Sequence, residues 1–227
     1  MDQEKIWEYF QNEDDVGDAV FNARPRYEYV ADRIDPGMRV LNIGVGRGGL
    51  ETILIAKGVE VHSLDPGERS IQRLRDNLGM GDYAQVGFSQ RIPFGDCYFD
   101  VVIMCEVLEH LADDVLQATI QEVRRVLKTG GRFVGTVPAD ENLLENRVMC
   151  PHCGMLFHRW GHLQSLSETR LRLLLANFER IRMSRHFFGE PRTLNWKGRL
   201  LLGSKKLLVR LGVKGSLESF FFSAVRS

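Results

Sequence analysis

Two cysteines and two histidines within thirteen residues could bind a metal ion. The array is Cys150-x2-Cys153-x4-His158-x3-His162. Thiolates and imidazoles at such short spacings can surround a tetrahedral Zn²⁺, and Pro151 and Gly154 let both sulfurs point at one ion. We therefore expect a structural zinc in a knuckle-like turn. His152 could replace one of the histidines; a reduced loop with free thiols and a metal ligated only partly from this segment are the alternatives.

Glycines follow the first predicted strand, at the point where the chain turns into a helix. Gly44, Gly46 and Gly49 satisfy the GxGxxG spacing of dinucleotide-binding turns. The missing β-carbons let the backbone approach a ligand, and the helix start offers free N–H groups. Asp65, at the end of the second predicted strand, could hold two ribose hydroxyls or cap the next helix. A nicotinamide or flavin enzyme is one candidate on this pattern.

Strands and helices alternate along the chain. Apolar runs and Gly/Pro breakers predict strands near 39–43, 59–64, 83–88, 100–104 and 132–137, and helices over about 3–11, 24–34, 48–57, 68–78 and 113–127. This alternation indicates an α/β fold with a doubly wound, mostly parallel sheet covered by helices on both faces. Ligands of such sheets bind beyond the carboxyl ends of the strands, so the residues after each strand are the candidate site.

Four segments, in the correct order, resemble motifs of the class I S-adenosylmethionine-dependent methyltransferases. They are Val-Leu-Asn-Ile-Gly-Val-Gly-Arg-Gly at 40–48, Ile-Pro-Phe…Phe-Asp at 92–100, Val-Leu-Glu-His at 107–110 and Leu-Lys-Thr-Gly-Gly at 127–131. The resemblance covers roughly residues 37–180. It implies a Rossmann-like, seven-stranded sheet whose last strand, at about 219–225, is antiparallel. It also implies S-adenosyl-L-methionine as the cofactor.

The resemblance implies a set of residues for the cofactor. They are Asn42, Gly44, Gly46, Gly48, Asp65, Pro66, Ser89, Cys105 and Glu106. Two positions depart from the family pattern: Asn42 stands where Asp is usual, and Phe88 stands where an Asp often meets the adenine amine. His110 and His162 are the candidate catalytic bases, because a hydroxyl acceptor needs a group to take its proton. His162 thus has both a catalytic and a metal-binding prediction.

Charge is balanced overall and uneven along the chain. Thirty basic and thirty acidic residues give no net charge, which argues against a uniformly basic nucleic-acid-binding protein. Residues 180–214, however, carry ten bases against one acid, Glu190. Trp196, Leu200, Leu207 and Leu211 could share one helix face beside these bases. Three interpretations of 194–214 are therefore open: an ordinary packed insertion, a peripheral contact with an anionic membrane, or a dimer contact.

The length of 227 residues fits one domain. Within it we expect an N-terminal helical lid (1–36), the Cys/His segment (140–165) and a basic amphipathic insertion (190–215). No apolar run approaches the ~20 residues of a membrane span, and no signal peptide is visible. Four cysteines do not make a disulfide framework, so we expect a cytoplasmic protein, peripheral at most to the inner face of a membrane.

Several functional classes follow from these observations. The leading one is methyl transfer to a small-molecule or lipid- or sugar-linked acceptor, with oxygen as the acceptor atom. An RNA methyltransferase is an alternative, since zinc knuckles can bind single-stranded RNA. Nucleic acid is the less favoured partner, because the chain lacks an Asn-Pro-Pro-Tyr type motif after the fourth strand. A non-catalytic protein that retains the fold is the third class, motivated by Asn42 and Phe88.

Overall fold

The computed structural model describes residues 23–227, together with Ile6 and Tyr9. In chain order its helices and strands are α1 (Arg24–Ala31), β1 (Arg39–Ile43), α2 (Gly49–Ala56), β2 (Glu60–Asp65), α3 (Glu68–Leu78), β3 (Ala84–Val86), β4 (Phe99–Cys105), α4 (Asp113–Val126), β5 (Leu127–Pro138), β6 (Arg147–Met149), β7 (Leu156–His158), α5 (Glu168–Leu174), β8 (Glu179–His186), α6 (Trp196–Arg210) and β9 (Ser219–Val225). Of the predicted helix at 3–11, only Ile6 and Tyr9 are among the described residues, and both are helical.

Seven strands form one mixed sheet in the order β3-β2-β1-β4-β5-β9-β8. The first five strands along the chain are mutually parallel, whereas β9 runs antiparallel to both β5 and β8. The predicted doubly wound sheet with an antiparallel last strand is therefore confirmed. The remaining two strands, β6 and β7, pair as a separate antiparallel hairpin within the Cys/His segment.

The central strands bury side chains on both faces, which explains their nearly unbroken apolar sequences. Consecutive residues alternate between two cores, as in the pairs Val40 and Leu41, Val101 and Val102, Val134 and Phe133, and Phe221 and Phe222. Helices α1, α2 and α3 cover one face, and α4 and α5 cover the other. No helix among the described residues is long and apolar enough to cross a membrane.

Strand β5 begins earlier than the predicted 132–137. Leu127 pairs with Phe99, and Arg132 pairs with Val101, so four residues of β5 lie opposite a single residue of β4. The glycine turn predicted at 129–131 is therefore present as a bulge inside the strand. The glycines indicate the turn in the sequence, but only the register with β4 shows that the strand already begins before it.

The strand order places the candidate site at the carboxyl ends of the central strands β1 and β4. Strand β1 lies between β2 and β4, so the chain winds outward to β3 and then returns to the other side of β1. Ile43 pairs with Met104, which brings the residues after β1 and β4 side by side. Such a switch point leaves a crevice beyond the strand ends, where ligands bind in open α/β sheets.

The centre of β5 has no room for a side chain at Gly135. A Cβ there would collide with the carbonyl oxygen of Met104 and lie 2.6 Å from the Phe222 ring. We expect Gly135→Ala to lower the free energy of unfolding by about 1–3 kcal/mol, because the sheet must shift to admit the methyl group. Urea denaturation measures this change. Gly95→Ala is the control, since nothing lies within 4 Å of its added Cβ; equal stability of the two variants would contradict the packing.

Candidate active site

A cavity of about 2200 Å³ lies at the carboxyl ends of the parallel strands. Single-ligand pockets usually measure roughly 300–1,000 Å³, so this cavity has room for a cofactor and an acceptor together. Its walls come from α1, the turn after β1, the ends of β2 and β4, the loops around 87–90 and 138–146, and the segments at 159–163, 190–193 and 215–219. These segments include most of the residues that the sequence predicted.

The turn after β1 depends on a glycine and a carboxylate. Gly44 has a φ of +85°, and a Cβ on it would collide with Val107, which follows β4. Asp65 accepts hydrogen bonds from the backbone N–H groups of Val45, at 2.9 Å, and Gly67, at 2.8 Å. Burial raises the pKa of Asp65, and these two bonds oppose the rise. Asp65 therefore links the glycine turn to the start of α3 while it lines the cavity.

Asn42 lies behind the turn and is not among the residues that line the cavity. Its side-chain amide donates to Glu51 Oε1 at 2.7 Å, and the Ser63 hydroxyl donates to the same oxygen at 3.0 Å. Burial raises the pKa of Glu51 to about 7, against these hydrogen bonds. An Asp at position 42 would place two buried carboxylates together, whereas Asn supplies a donor. Asn42, which departs from the family pattern, is therefore matched to the buried acid Glu51 on α2.

Glu106 follows β4 in a left-handed conformation with a φ of +55°. Its backbone N–H donates to the Thr136 carbonyl at 2.8 Å, which fixes the turn against β5. Its carboxylate lies 3.5 Å from Arg26 Nε of α1, and each side chain is about one-fifth exposed (22% and 21%). Both residues line the cavity, so one charge of each sign is available beside the glycine turn.

Histidines and acids form a second polar wall of the cavity. His162 Nδ1 lies 2.5 Å from Glu141 Oε2. His110 Nδ1 lies 3.2 Å from the Gly161 carbonyl oxygen, and the rings of His110 and His162 meet edge to face with centroids 4.7 Å apart. Burial favours the neutral form of Glu141, but the hydrogen bond from the His162 ring opposes it, and the pKa of Glu141 is lowered.

The hydrogen-bond partners assign the protons on these rings. Glu141 is an acceptor when ionised, so the His162 Nδ1 atom carries a proton, and in the neutral form of the ring the lone pair lies on Nε2. A carbonyl can only accept, so His110 also carries its proton on Nδ1. Burial and the nearby His162 lower the pKa of His110 to about 3, which keeps its ring neutral. His162 therefore combines a carboxylate partner with an available basic nitrogen.

The structure separates the four predicted zinc ligands into two pairs. Among the described residues, potential ligands converge within 4.8 Å as Glu141, His158 and His162, or as Glu109, His110 and His162; neither group contains a cysteine. Cys150 and Cys153 lie instead in the β6–β7 turn. There the backbone N–H groups of Cys153 and His152, and the Cys153 thiol, lower the pKa of Cys150.

The two histidines of the array contact each other directly. The rings of His158 and His162 lie with centroids 4.5 Å apart and planes 21° from parallel. The His162 backbone N–H also donates to His158 Nδ1 at 3.2 Å. The described residues therefore do not bring the predicted Cys₂His₂ set together, and the zinc site at Cys150, Cys153, His158 and His162 stays a prediction without support from this structure.

The other predicted site residues divide by position. Those that line the cavity are Gly44, Gly46, Asp65, Pro66, Ser89, Cys105, Glu106, His110 and His162. Gly48 is not among them; its α-carbon faces Leu74 of α3. The Ser89 hydroxyl is already hydrogen-bonded to Thr119 at 2.8 Å. Burial raises the pKa of the Cys105 thiol to about 12, so it stays protonated.

The described part of the predicted lid borders the site. Arg26 and Tyr27 of α1 line the cavity, whereas Tyr9 is 53% exposed. Residues 1–22 other than Ile6 and Tyr9 lie outside the described residues, so the lid over 1–36 stays a prediction. Sequence reasoning missed Glu51 and Glu141, because neither belongs to a motif; their roles come only from what the fold packs against them.

Residues 21–179 match a family model described as a methyltransferase domain. The match covers more than half of the chain and includes the glycine turn, Asp65 and the histidine cluster. The chain belongs to the S-adenosylmethionine-dependent methyltransferase family.

Relatives of the chain differ in the acceptor they are named for. The chain is 26% identical to a sarcosine/dimethylglycine N-methyltransferase of Halorhodospira halochloris, over 81% of this chain and 67% of the relative. It is 34% identical to a ubiquinone biosynthesis O-methyltransferase of Pseudomonas aeruginosa, over 44% of this chain and 45% of the relative. The chain spans less than half the length of the first curated relatives that it matches.

A solved structure shares the fold over nearly the whole chain. It is a methyltransferase of Haloferax volcanii in complex with the Trm112 methyltransferase activator. The TM-score is 0.68 at 18% identity, and the match covers 97% of both chains.

The buried Glu51 predicts a pH-dependent stability for this methyltransferase. Burial raises its pKa from an ordinary 4.5 to about 7, so the folded chain holds this proton more tightly than the unfolded chain. The resulting stability is full below pH 4.5 and is lost as pH rises through 7. Gln does not titrate, so Glu51→Gln should not lose this contribution. From pH 5 to pH 8 the free energy of unfolding of wild type should therefore fall by on the order of 3 kcal/mol more than that of Glu51→Gln.

Urea unfolding at the two pH values measures this difference. The control is Glu179→Gln, which removes an exposed carboxylate. The amide introduced on α2 by Glu51→Gln could also donate to the Asn42 side-chain oxygen, which has no hydrogen-bond partner among the described residues. A stability difference that is the same at both pH values would contradict the assignment.

Proposed function

We propose that this protein transfers a methyl group from S-adenosyl-L-methionine to an oxygen atom of a small-molecule or lipid- or sugar-linked acceptor. The observation that carries the proposal is the Glu141–His162 pair on the wall of the cavity that also contains the glycine turn and Asp65. A basic nitrogen with a fixed carboxylate partner suits the removal of a proton from a hydroxyl group.

The cavity offers partners for each part of the cofactor. The Asp65 carboxylate has the acceptor capacity to take two ribose hydroxyls in addition to its backbone bonds. Glu106 and Arg26 supply an acceptor for the ammonium group and a donor for the carboxylate of the methionine end. Phe88, which is 48% exposed, supplies an apolar wall for the adenine, with Gln90 beside it.

The bound cofactor supplies the chemistry, since its sulfonium already activates the methyl group. The protein must align the acceptor oxygen with the methyl–sulfur bond and exclude water. His162 takes the hydroxyl proton on Nε2 as the oxygen attacks, and Glu141 stabilises the imidazolium that forms. The neutral His110 packs against His162 and restricts its ring, so we assign it to orientation of the base, with direct contact to the acceptor as its second candidate role.

An oxygen acceptor fits this wall better than an amine does. A neutral amine can attack the methyl group before it loses a proton, so an oriented base is less needed there. The alternative of a non-catalytic protein rested on Asn42 and Phe88. The Asn42–Glu51 contact gives the first substitution a structural reason that does not involve loss of the cofactor.

Cofactor binding is the first expected property. Isothermal titration with S-adenosyl-L-methionine and S-adenosylhomocysteine should give binding that Asp65→Ala weakens about 10- to 100-fold, because hydrogen bonds to a charged carboxylate are lost. Asp76→Ala, an acid on α3 that bonds to Gln72, is the matched control and should bind as wild type does. Circular dichroism checks that each variant is folded. A folded wild-type protein that binds neither ligand would favour the non-catalytic alternative.

The base assignment predicts a graded loss of activity. Release of S-adenosylhomocysteine is measured over a panel of phenol, alcohol, carboxylate and amine acceptors. With a responsive hydroxyl acceptor, His162→Ala should lower kcat by about 10²- to 10⁴-fold. Glu141→Gln should lower kcat less, because the imidazole remains.

The matched control is His152→Ala, which removes an exposed histidine of the same segment. Cofactor affinity should be unchanged in all of these variants. A His162→Ala enzyme with wild-type kcat, or a panel in which only amines respond, would overturn the oxygen-transfer proposal.

A further inference from the structure

Helix α6 carries apolar side chains on both its inner and outer sides. Leu202 and Val209 are buried beneath it. Six larger apolar side chains point away from the protein, at fractional exposures of 67% for Trp196, 63% for Leu200, 72% for Leu201, 56% for Leu207, 48% for Leu208 and 70% for Leu211. We call these six residues the α6 face. Single exposed leucines are ordinary on proteins, but six on one helix are not.

The six side chains share one side of the helix. At 100° per residue they fall within an arc of about 140°, which also contains Ser204 and Lys197, and Leu202 and Val209 lie outside that arc on the opposite side. A helix that only packs on a domain has a polar outer side, so the α6 face lacks a partner among the described residues. The next residues continue the apolar surface, since Val213 is 50% exposed.

Basic residues border this stripe. The helix contains Lys197, Arg199, Lys205, Lys206 and Arg210 and no acid. By the same angular spacing, Arg199, Lys206 and Arg210 lie along one edge of the α6 face, and Lys205 lies along the other. The nearby acids are already paired: Asp140 with Arg185 and Lys214, and Glu28 with Arg24 and Arg192. The surface around the stripe is therefore positive.

We propose that the α6 face docks onto an anionic lipid bilayer, with the helix lying in the plane of the interface. The apolar side chains enter the acyl boundary, and the flanking bases contact lipid phosphates, as expected for an interfacial amphipathic helix. A symmetric contact with a second copy fits less well, because it would bring the same five bases of each helix together without an acid on either α6.

Docking would also orient the cavity. Arg192 and Thr193 precede α6, Leu217 and Glu218 follow it, and all four line the cavity. A helix held at the headgroup level therefore brings one edge of the cavity to the membrane surface. This consequence rests on the proposed function, since it favours a lipid-linked acceptor; the docking itself does not depend on methyl transfer.

Vesicle flotation tests the proposal on the full chain. The vesicles are phosphatidylcholine alone, or phosphatidylcholine with about 30% phosphatidylglycerol, at low and high NaCl. Wild type should float with the anionic vesicles at low salt and much less with the neutral ones or at high salt. Leu200→Ser combined with Leu207→Ser should weaken binding about tenfold or more, because two leucine side chains no longer enter the bilayer.

The matched control is Leu173→Ser on α5, a leucine that is 72% exposed and lies away from the α6 face. It should bind as wild type does. Light scattering of each protein in solution gives its oligomeric state, and calorimetric cofactor titration shows whether the cofactor site is intact. Cofactor binding that persists while flotation fails would reject the docking alone.

Any one of three results would overturn the proposal. The first is a wild-type protein that does not float with anionic vesicles, and the second is a double variant that floats as well as Leu173→Ser. The third is a wild-type dimer that the double variant converts to a monomer, which would assign the α6 face to a second copy.

Discussion

The contact between Gly44 and Val107 is the constraint on which the site depends. The two residues follow the adjacent strands β1 and β4, and their approach leaves no space for a side chain at position 44. The same approach sets the glycine turn beside the left-handed Glu106, and Asp65 then fixes that turn through two backbone N–H groups. The Asp65 carboxylate, which can bind a ligand, thus also fixes the glycine turn beside it. The ligand site and the switch point of the sheet therefore depend on the same residue.

Much of the fold could be predicted because the parallel sheet is buried on both faces. Strand β1 and helix α3 have the bounds expected from their apolar runs and breakers, and the last strand was expected at 219–225 from the resemblance alone. Boundaries failed where pairing, rather than pattern, decides them. The bulge in β5 is the example, because only its register with β4 shows that the strand continues through the glycine turn.

The site was less predictable because spacing along the chain does not give the direction of a side chain. The Cys/His array has the spacing of a zinc knuckle, yet its histidines turn inward to Glu141 while its cysteines occupy the hairpin turn. Glu51 and Glu141 belong to no motif, and each acquires its role from a partner that lies 9 or 21 residues away. Asn42 shows the same limit, since its departure from the family pattern makes sense only beside Glu51.

The insertion connects the acceptor side of the cavity to the surface of the molecule. Family members share the sheet and the glycine turn, so these features cannot distinguish their acceptors. Here the segments on both sides of α6 line the cavity, and the helix between them has an apolar outer stripe with basic edges. A polar acceptor that diffuses freely needs no such surface, whereas an acceptor with a lipid tail must be reached at the bilayer. The exposed leucines of the α6 face therefore favour a lipid-linked acceptor, just as His162 favours an acceptor hydroxyl.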